Sequence, residues 1–127
     1  MARFEAAVAA FNDEGIEEFL DLCTADIRLA TATGFPGGGA FQGRKPVELY
    51  IREFVSNWVE VRYEYEDARL ENGAVVHLAR WAVRGEAPDS DASAEVFGVA
   101  TFRGDLIAAL ELFWTEEEAL AHAGRER

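Results

Sequence analysis

His77, Tyr50 and Cys23 are the side chains whose type and expected placement suit chemistry. Histidine has a reference pKa near neutrality. Burial would lower that pKa and keep the ring neutral, able to accept a proton. Tyr50 would donate a hydrogen bond to a carbonyl or hydroxyl. A plainer reading stands beside this one: a lone histidine in an apolar run is commonly a satisfied core or surface residue. Cys23 lies in an apolar stripe with no evident cationic neighbour, so it reads as inert packing rather than a nucleophile. It is the one cysteine, and the second histidine, His122, lies in the tail. No metal cluster and no cofactor are therefore expected.

The remaining polar groups among apolar residues are the Trp81 and Trp114 indoles and Tyr63. Strand alternation would put Val75, His77, Ala79 and Trp81 on one face, with Gly98, Ala100, Leu110, Leu112 and Trp114 beside them. Helices would add Phe19, Cys23, Tyr50, Phe54 and Trp58, and a glycine-rich loop Phe35. These residues describe an apolar, aromatic pocket, or else simply a core. Val76, Leu78, Phe97, Val99 and Phe113 would project from the opposite face. Such a patch is larger than monomers usually expose, so a homodimer through it is expected. Arg80 and Arg84 would meet Glu95 and Glu111 on that side, as cross-strand ion pairs.

The elements that must position these groups follow from periodicity. Phe4, Ala7, Val8 and Phe11 form one helical stripe, and Ile16, Phe19, Leu20 and Cys23 a second. A short strand is expected at 27–30. Ala32–Gly43, ATGFPGGGAFQG, reads as a loop, either a plain connection or a flap carrying Phe35 over a pocket mouth. No Gly-Lys-Ser/Thr follows it, which argues against a phosphate loop. Pro46 opens a long helix with Val47, Tyr50, Ile51, Phe54 and Trp58 on its apolar face. Four strands follow. The first two are joined by Asn72-Gly73, a type I′ hairpin signal. The last pair, Glu95–Trp114, turns at Arg103-Gly104-Asp105. Thr115 and Glu118 match a capping box, predicting a tail helix over Glu116–Ala123 ended by Gly124. The layout is α+β: a curved antiparallel sheet of four long strands, packed on three helices as a cone.

Composition bounds the function classes. The 127 residues fit one domain, half of them apolar and 12% aromatic, enough for a core with a cavity. Twelve basic against 24 acidic residues give a net charge of −12, which disfavours nucleic acid and anionic membranes. No run of about 18 apolar residues exists to span a bilayer, and acidic residues occupy the place of a signal peptide's apolar centre. A cytoplasmic protein is expected.

Three stretches carry a family likeness. They are the helix–turn–helix ending Ile16-Glu17-Glu18-Phe19-Leu20-Asp21-Leu22-Cys23-Thr24-Ala25-Asp26-Ile27, the Gly34–Arg44 segment leading into a helix, and Val99-Ala100-Thr101-Phe102-Arg103-Gly104-Asp105-Leu106-Ile107. Together with the element order they resemble the NTF2-like superfamily, in particular its SnoaL-like branch. The resemblance implies the cone fold and pairing through the outer sheet face. The superfamily includes ketosteroid isomerases, polyketide cyclases, epoxide hydrolases, dehydratases and non-catalytic binding domains. The isomerases' base, tyrosine donor and protonated acid correspond here to about Thr31, Ala7 and Gly98, none of which can take those roles. Three readings stay open. The first is binding of a small apolar or aromatic molecule. The second is an enzyme of isomerase, cyclase or dehydratase type with His77 as acid/base and Tyr50 as donor. The third is a dimerisation module without a ligand.

Overall fold

A computed structural model describes residues 1–35 and 38–125. The chain opens with α1 (Ala2–Ala9), whose last turn widens into a π-helical turn over Ala10–Glu14, and α2 (Ile16–Leu20). The strands β1 (Cys23–Ala30) and β2 (Ala40–Gln42) precede α3 (Arg44–Ser56). Then come β3 (Glu60–Glu71), β4 (Ala74–Arg84), β5 (Ala92–Arg103), β6 (Leu106–Phe113) and α4 (Glu116–Arg125). The layout is α+β with a curved, open sheet, as the element order requires.

The sheet is mixed and six-stranded, in the order β2-β1-β6-β5-β4-β3. The long hairpins form as expected. Asn72 and Gly73 both take positive φ, 53° and 85°, as a type I′ turn demands. Two features differ from expectation. The short strand runs from Cys23 rather than residue 27, because Leu22 and Cys23 join the edge of β6: Ile107 N donates to the Leu22 carbonyl at 2.9 Å. Cys23 is therefore a strand residue, not the last residue of a helical stripe. The same strand lies parallel to β6, with Leu29 opposite Leu110. Such a pairing needs a long crossover and leaves no local turn signal.

The π turn closes with Gly15 N donating to the Ala10 carbonyl at 2.9 Å. It places Asn12 against the edge strand β3. Tyr63 N donates to Asn12 Oδ1, and Asn12 Nδ2 donates to the Tyr63 carbonyl, both at 2.8 Å. One side chain thus stands in for a neighbouring strand at an otherwise open edge. The inner core of Ala7, Phe19, Leu20, Ile27, Val47 and Ile51 packs α1, α2 and α3 against the sheet.

Helix α4 covers part of the opposite face. Thr115 and Glu118 form the predicted capping box: Glu118 N donates to Thr115 Oγ1 and Thr115 N to Glu118 Oε1, each at 3.2 Å. The helix continues past Gly124 to Arg125. Its Ala119 and Ala123 bury Val76 and Val99 completely, while Phe97 and Phe113 pack around them half-buried. Two of the five residues expected at an interface between copies are thus covered by the chain's own tail. Leu78, Phe97 and Phe113 keep partial exposure. Arg80 pairs with Glu95 as expected, whereas Arg84 pairs with Glu60, and Glu111 with Arg28 and His122.

Candidate functional site

The inner face of the sheet and the helices enclose a cavity of ≈ 50 Å³, within a region whose total space between atoms, open solvent included, is ≈ 840 Å³. Phe19, Phe35, Tyr50, Phe54, Tyr63, Trp81, Ala100 and Leu112 stand in its wall, all residues assigned to a pocket by pattern alone. The smaller volume governs what fits without movement. A void that accepts benzene is about 150 Å³. A ring-sized guest must therefore displace wall side chains.

Trp81 is the centre of the wall. Its ring meets Phe11, Phe54 and Tyr63 near-perpendicularly, at centroid distances of 5.8, 5.5 and 4.7 Å. Tyr50 stacks on Phe41 at 4.5 Å, and burial raises its phenol pKa. Phe35 approaches Phe54 at 6.1 Å and Trp114 at 6.3 Å. Pro36 and Gly37 of the expected flap lie outside the described residues.

Five residues expected in the wall stand elsewhere. Trp114 is 44% exposed, and its indole donates to the Thr33 carbonyl at 2.6 Å. Trp58 is half-buried just past the end of α3, where its amide caps that helix by donating to the Val55 carbonyl. Cys23 is fully buried, with Sγ donating to the Phe19 carbonyl at 3.4 Å. Burial pushes its thiol up to about 12, against a smaller opposing pull from Arg44. That cationic neighbour was not evident in the sequence, yet it does not activate the thiol.

His77 and Gly98 form a layer behind the wall. His77 Nε2 lies 2.6 Å from the Tyr63 hydroxyl, and Nδ1 lies 3.4 Å from the Val75 carbonyl. Desolvation lowers the His77 pKa to about 4, with the Val75 contact opposing it weakly. The ring is therefore neutral near pH 7. A proton on Nδ1, directed at Val75, leaves Nε2 to accept from Tyr63. Burial raises the Tyr63 pKa, so the phenol stays protonated as that donor. Gly98 makes the pair possible: a Cβ there would lie 2.4 Å from His77 Nε2 and 2.9 Å from the Tyr63 hydroxyl.

Thr31 lines the cavity but is committed to the loop. Its hydroxyl accepts from Gly39 N at 2.7 Å and donates to the Gly39 carbonyl at 3.3 Å. Phe4, Val8 and Phe11 complete the wall from α1 and the π turn. Their stripe is readable in the sequence, but its contact with the inner sheet face is not. Among the described residues, no group of three or more His, Cys, Asp or Glu side chains is placed to hold a metal ion. No helix among them is long and apolar enough to cross a membrane.

A family model described as "SnoaL-like domain" matches residues 4–110. No curated protein matches the chain. Several solved structures share the fold. TerC, co-crystallised with polyporic acid, is 16% identical, with 97% of this chain and 96% of that one covered at a TM-score of 0.76. An NTF2-like protein of unknown function from Burkholderia pseudomallei is 18% identical, covering 95% and 94% at 0.76. A protein with a ketosteroid isomerase-like fold from Catenulispora acidiphila, in complex with trimethylamine, is 15% identical, covering 96% and 92% at 0.73. At these identities the likeness is one of fold.

Proposed function

The chain belongs to the SnoaL-like domain family, and from that footing we propose that it binds a small, predominantly apolar molecule in the cone. One observation carries this reading: a continuous cavity walled by aromatic side chains from α1, the π turn, α2, α3, β3 and β4, with Trp81 among three of these rings. Aromatic walls give a guest large contact area with few rotatable bonds to freeze. Two fold relatives carry small organic molecules in their crystals, polyporic acid in TerC and trimethylamine in the Catenulispora acidiphila protein. The ≈ 50 Å³ void implies that a guest enters by moving rings.

The test is saturable binding of a one-ring aromatic probe, followed through the indole resonances, in wild type and Ala100→Leu. Ala100 is fully buried in the cavity wall, so the three added carbons occupy the guest's space. Affinity in the variant should fall at least about tenfold, the effect of displacing roughly 1.4 kcal/mol of contact. Equal affinity in the two proteins, or no saturable binding of any probe, overturns the reading.

A catalytic version is favoured by the 2.6 Å contact between Tyr63 and His77. Tyr63 would take a proton from the bound molecule while passing its own to His77, with Tyr50 orienting the substrate. A ring titrating at about 4 is a weak acceptor at neutral pH, which is why binding is the leading reading. Turnover that survives His77→Gln would remove the catalytic version and leave binding untouched.

A further inference from the structure

We propose that Trp81 sets the specificity of this cavity, its indole N–H selecting an apolar molecule that carries a hydrogen-bond acceptor such as a carbonyl or ether oxygen. The inference rests on the reading of the cone as a binding site. Four wall residues bring side-chain polar groups: Thr31, Tyr50, Tyr63 and Trp81. Thr31 is engaged twice with Gly39. The Tyr63 hydroxyl is engaged with His77. Tyr50 is only half-buried, so its hydroxyl is not cut off from water. Trp81 Nε1 is fully enclosed and has no acceptor among the described residues.

Such a buried donor is uncommon, since most buried N–H groups find a partner. The register explains why the chain offers none. Trp81 lies opposite Tyr63 on β3 and Ala94 on β5, and the rings around it are Phe11, Phe54 and Tyr63. Phenylalanine and alanine side chains carry no acceptor, and the one hydroxyl among these neighbours is turned to His77. An indole N–H can only donate. It therefore discriminates between two guests of equal shape by whether one presents an oxygen lone pair, and it gains nothing from an ammonium group or a hydrocarbon. Nε1 does not border the void in this structure, so an acceptor reaches it only once the rings around it move.

Ethylbenzene and acetophenone share a ring and differ by a carbonyl. Their affinities should be measured for wild type and Trp81→Phe, with the ¹H–¹⁵N indole resonance of Trp81 followed in wild type. Comparing the two ratios cancels the difference in hydration of the probes. The variant should lose about three- to tenfold of the relative preference for acetophenone, the range of one net hydrogen bond. The wild-type indole proton should move downfield with acetophenone and not with ethylbenzene. If both probes bind and both the ratio and the resonance are unmoved, the specificity role of Trp81 is overturned while the binding site stands. If neither probe binds wild type, the binding reading fails and takes this inference with it. A variant that does not fold leaves the wild-type resonance as the deciding measurement.

Discussion

On β4, Val75, His77, Ala79 and Trp81 face the cone, and Val76 and Leu78 alternate onto the opposite side. The two faces of this one sheet are closed differently. Inside, alanines at 79 and 100 are set among large rings, and a void remains beside Ala100. Outside, the alanines are on the helix: Ala119 and Ala123 let α4 lie directly on Val76 and Val99. The polar chemistry differs as well. His77, inside, is held neutral between a phenol and a backbone carbonyl. His122, outside, lies 2.8 Å from Glu111, which also meets Arg28 at 3.4 Å. Beyond α4 the outer face carries exposed pairs such as Arg80–Glu95 and Arg84–Glu60. Small residues thus leave room where they face rings, and close contact where they face small residues. Charge is kept to the side that water reaches.

The largest expected effect separating the faces is acid sensitivity. The unfolded chain has His77 near 6.5, and the folded chain holds it near 4. Between those values the unfolded state binds more protons, so stability rises with pH. The His77 contribution is full above about pH 6.5, is lost as pH falls toward 4, and changes no further below that. The shift corresponds to about 3 kcal/mol. Denaturant unfolding at pH 7 and pH 4.5 should show a steeper loss for wild type than for His77→Gln. Parallel losses in the two proteins would mean that His77 is not buried neutral, and the inner face would lose its distinguishing feature.

A pair of equal enlargements probes the packing. Ala119→Leu adds three carbons where α4 meets the sheet, with no helix-propensity penalty of note. It should cost about 1–3 kcal/mol by overpacking. Ala100→Leu adds the same atoms beside the ≈ 50 Å³ void and should cost about 1 kcal/mol or less. Thermal unfolding of both variants measures the contrast. Equal destabilisation would mean that the inner void is not available space.

The sequence made legible what short-range chemistry dictates. Asn72-Gly73 forced its turn, Thr115 and Glu118 capped their helix, and strand alternation brought Tyr63, Trp81, Ala100 and Leu112 to one wall. What stayed hidden depends on partners far along the chain. Asn12 belongs to neither helical stripe, and its role does not show until Tyr63, 51 residues on, presents an open backbone edge. Cys23 reads as helical until β6 arrives to pair with it. His77 reads as a pocket group because alternation gives its face but not its depth behind Tyr63. The outer apolar stripe calls for a cover, and nothing local says that α4 supplies part of it.

The smallest effect isolates that cover. Thr115 Oγ1 accepts from Glu118 N, and Glu118 Oε1 accepts from both the Thr115 amide and its hydroxyl. Thr115→Ala removes the hydroxyl from this exchange and leaves the first turn of α4 without its cap. Caps of this kind contribute about 1 kcal/mol. The site is exposed, so no cavity forms and no charge is buried. The loss should appear as faster amide hydrogen exchange in the first turn of α4, and as a modest fall in unfolding midpoint. Because the described apolar residues of α4 pack on the outer face, affinity for a one-ring probe should stay within about twofold of wild type. A larger change in affinity would show that the two faces are coupled through β4 and β5, and would break the separation on which the comparison rests.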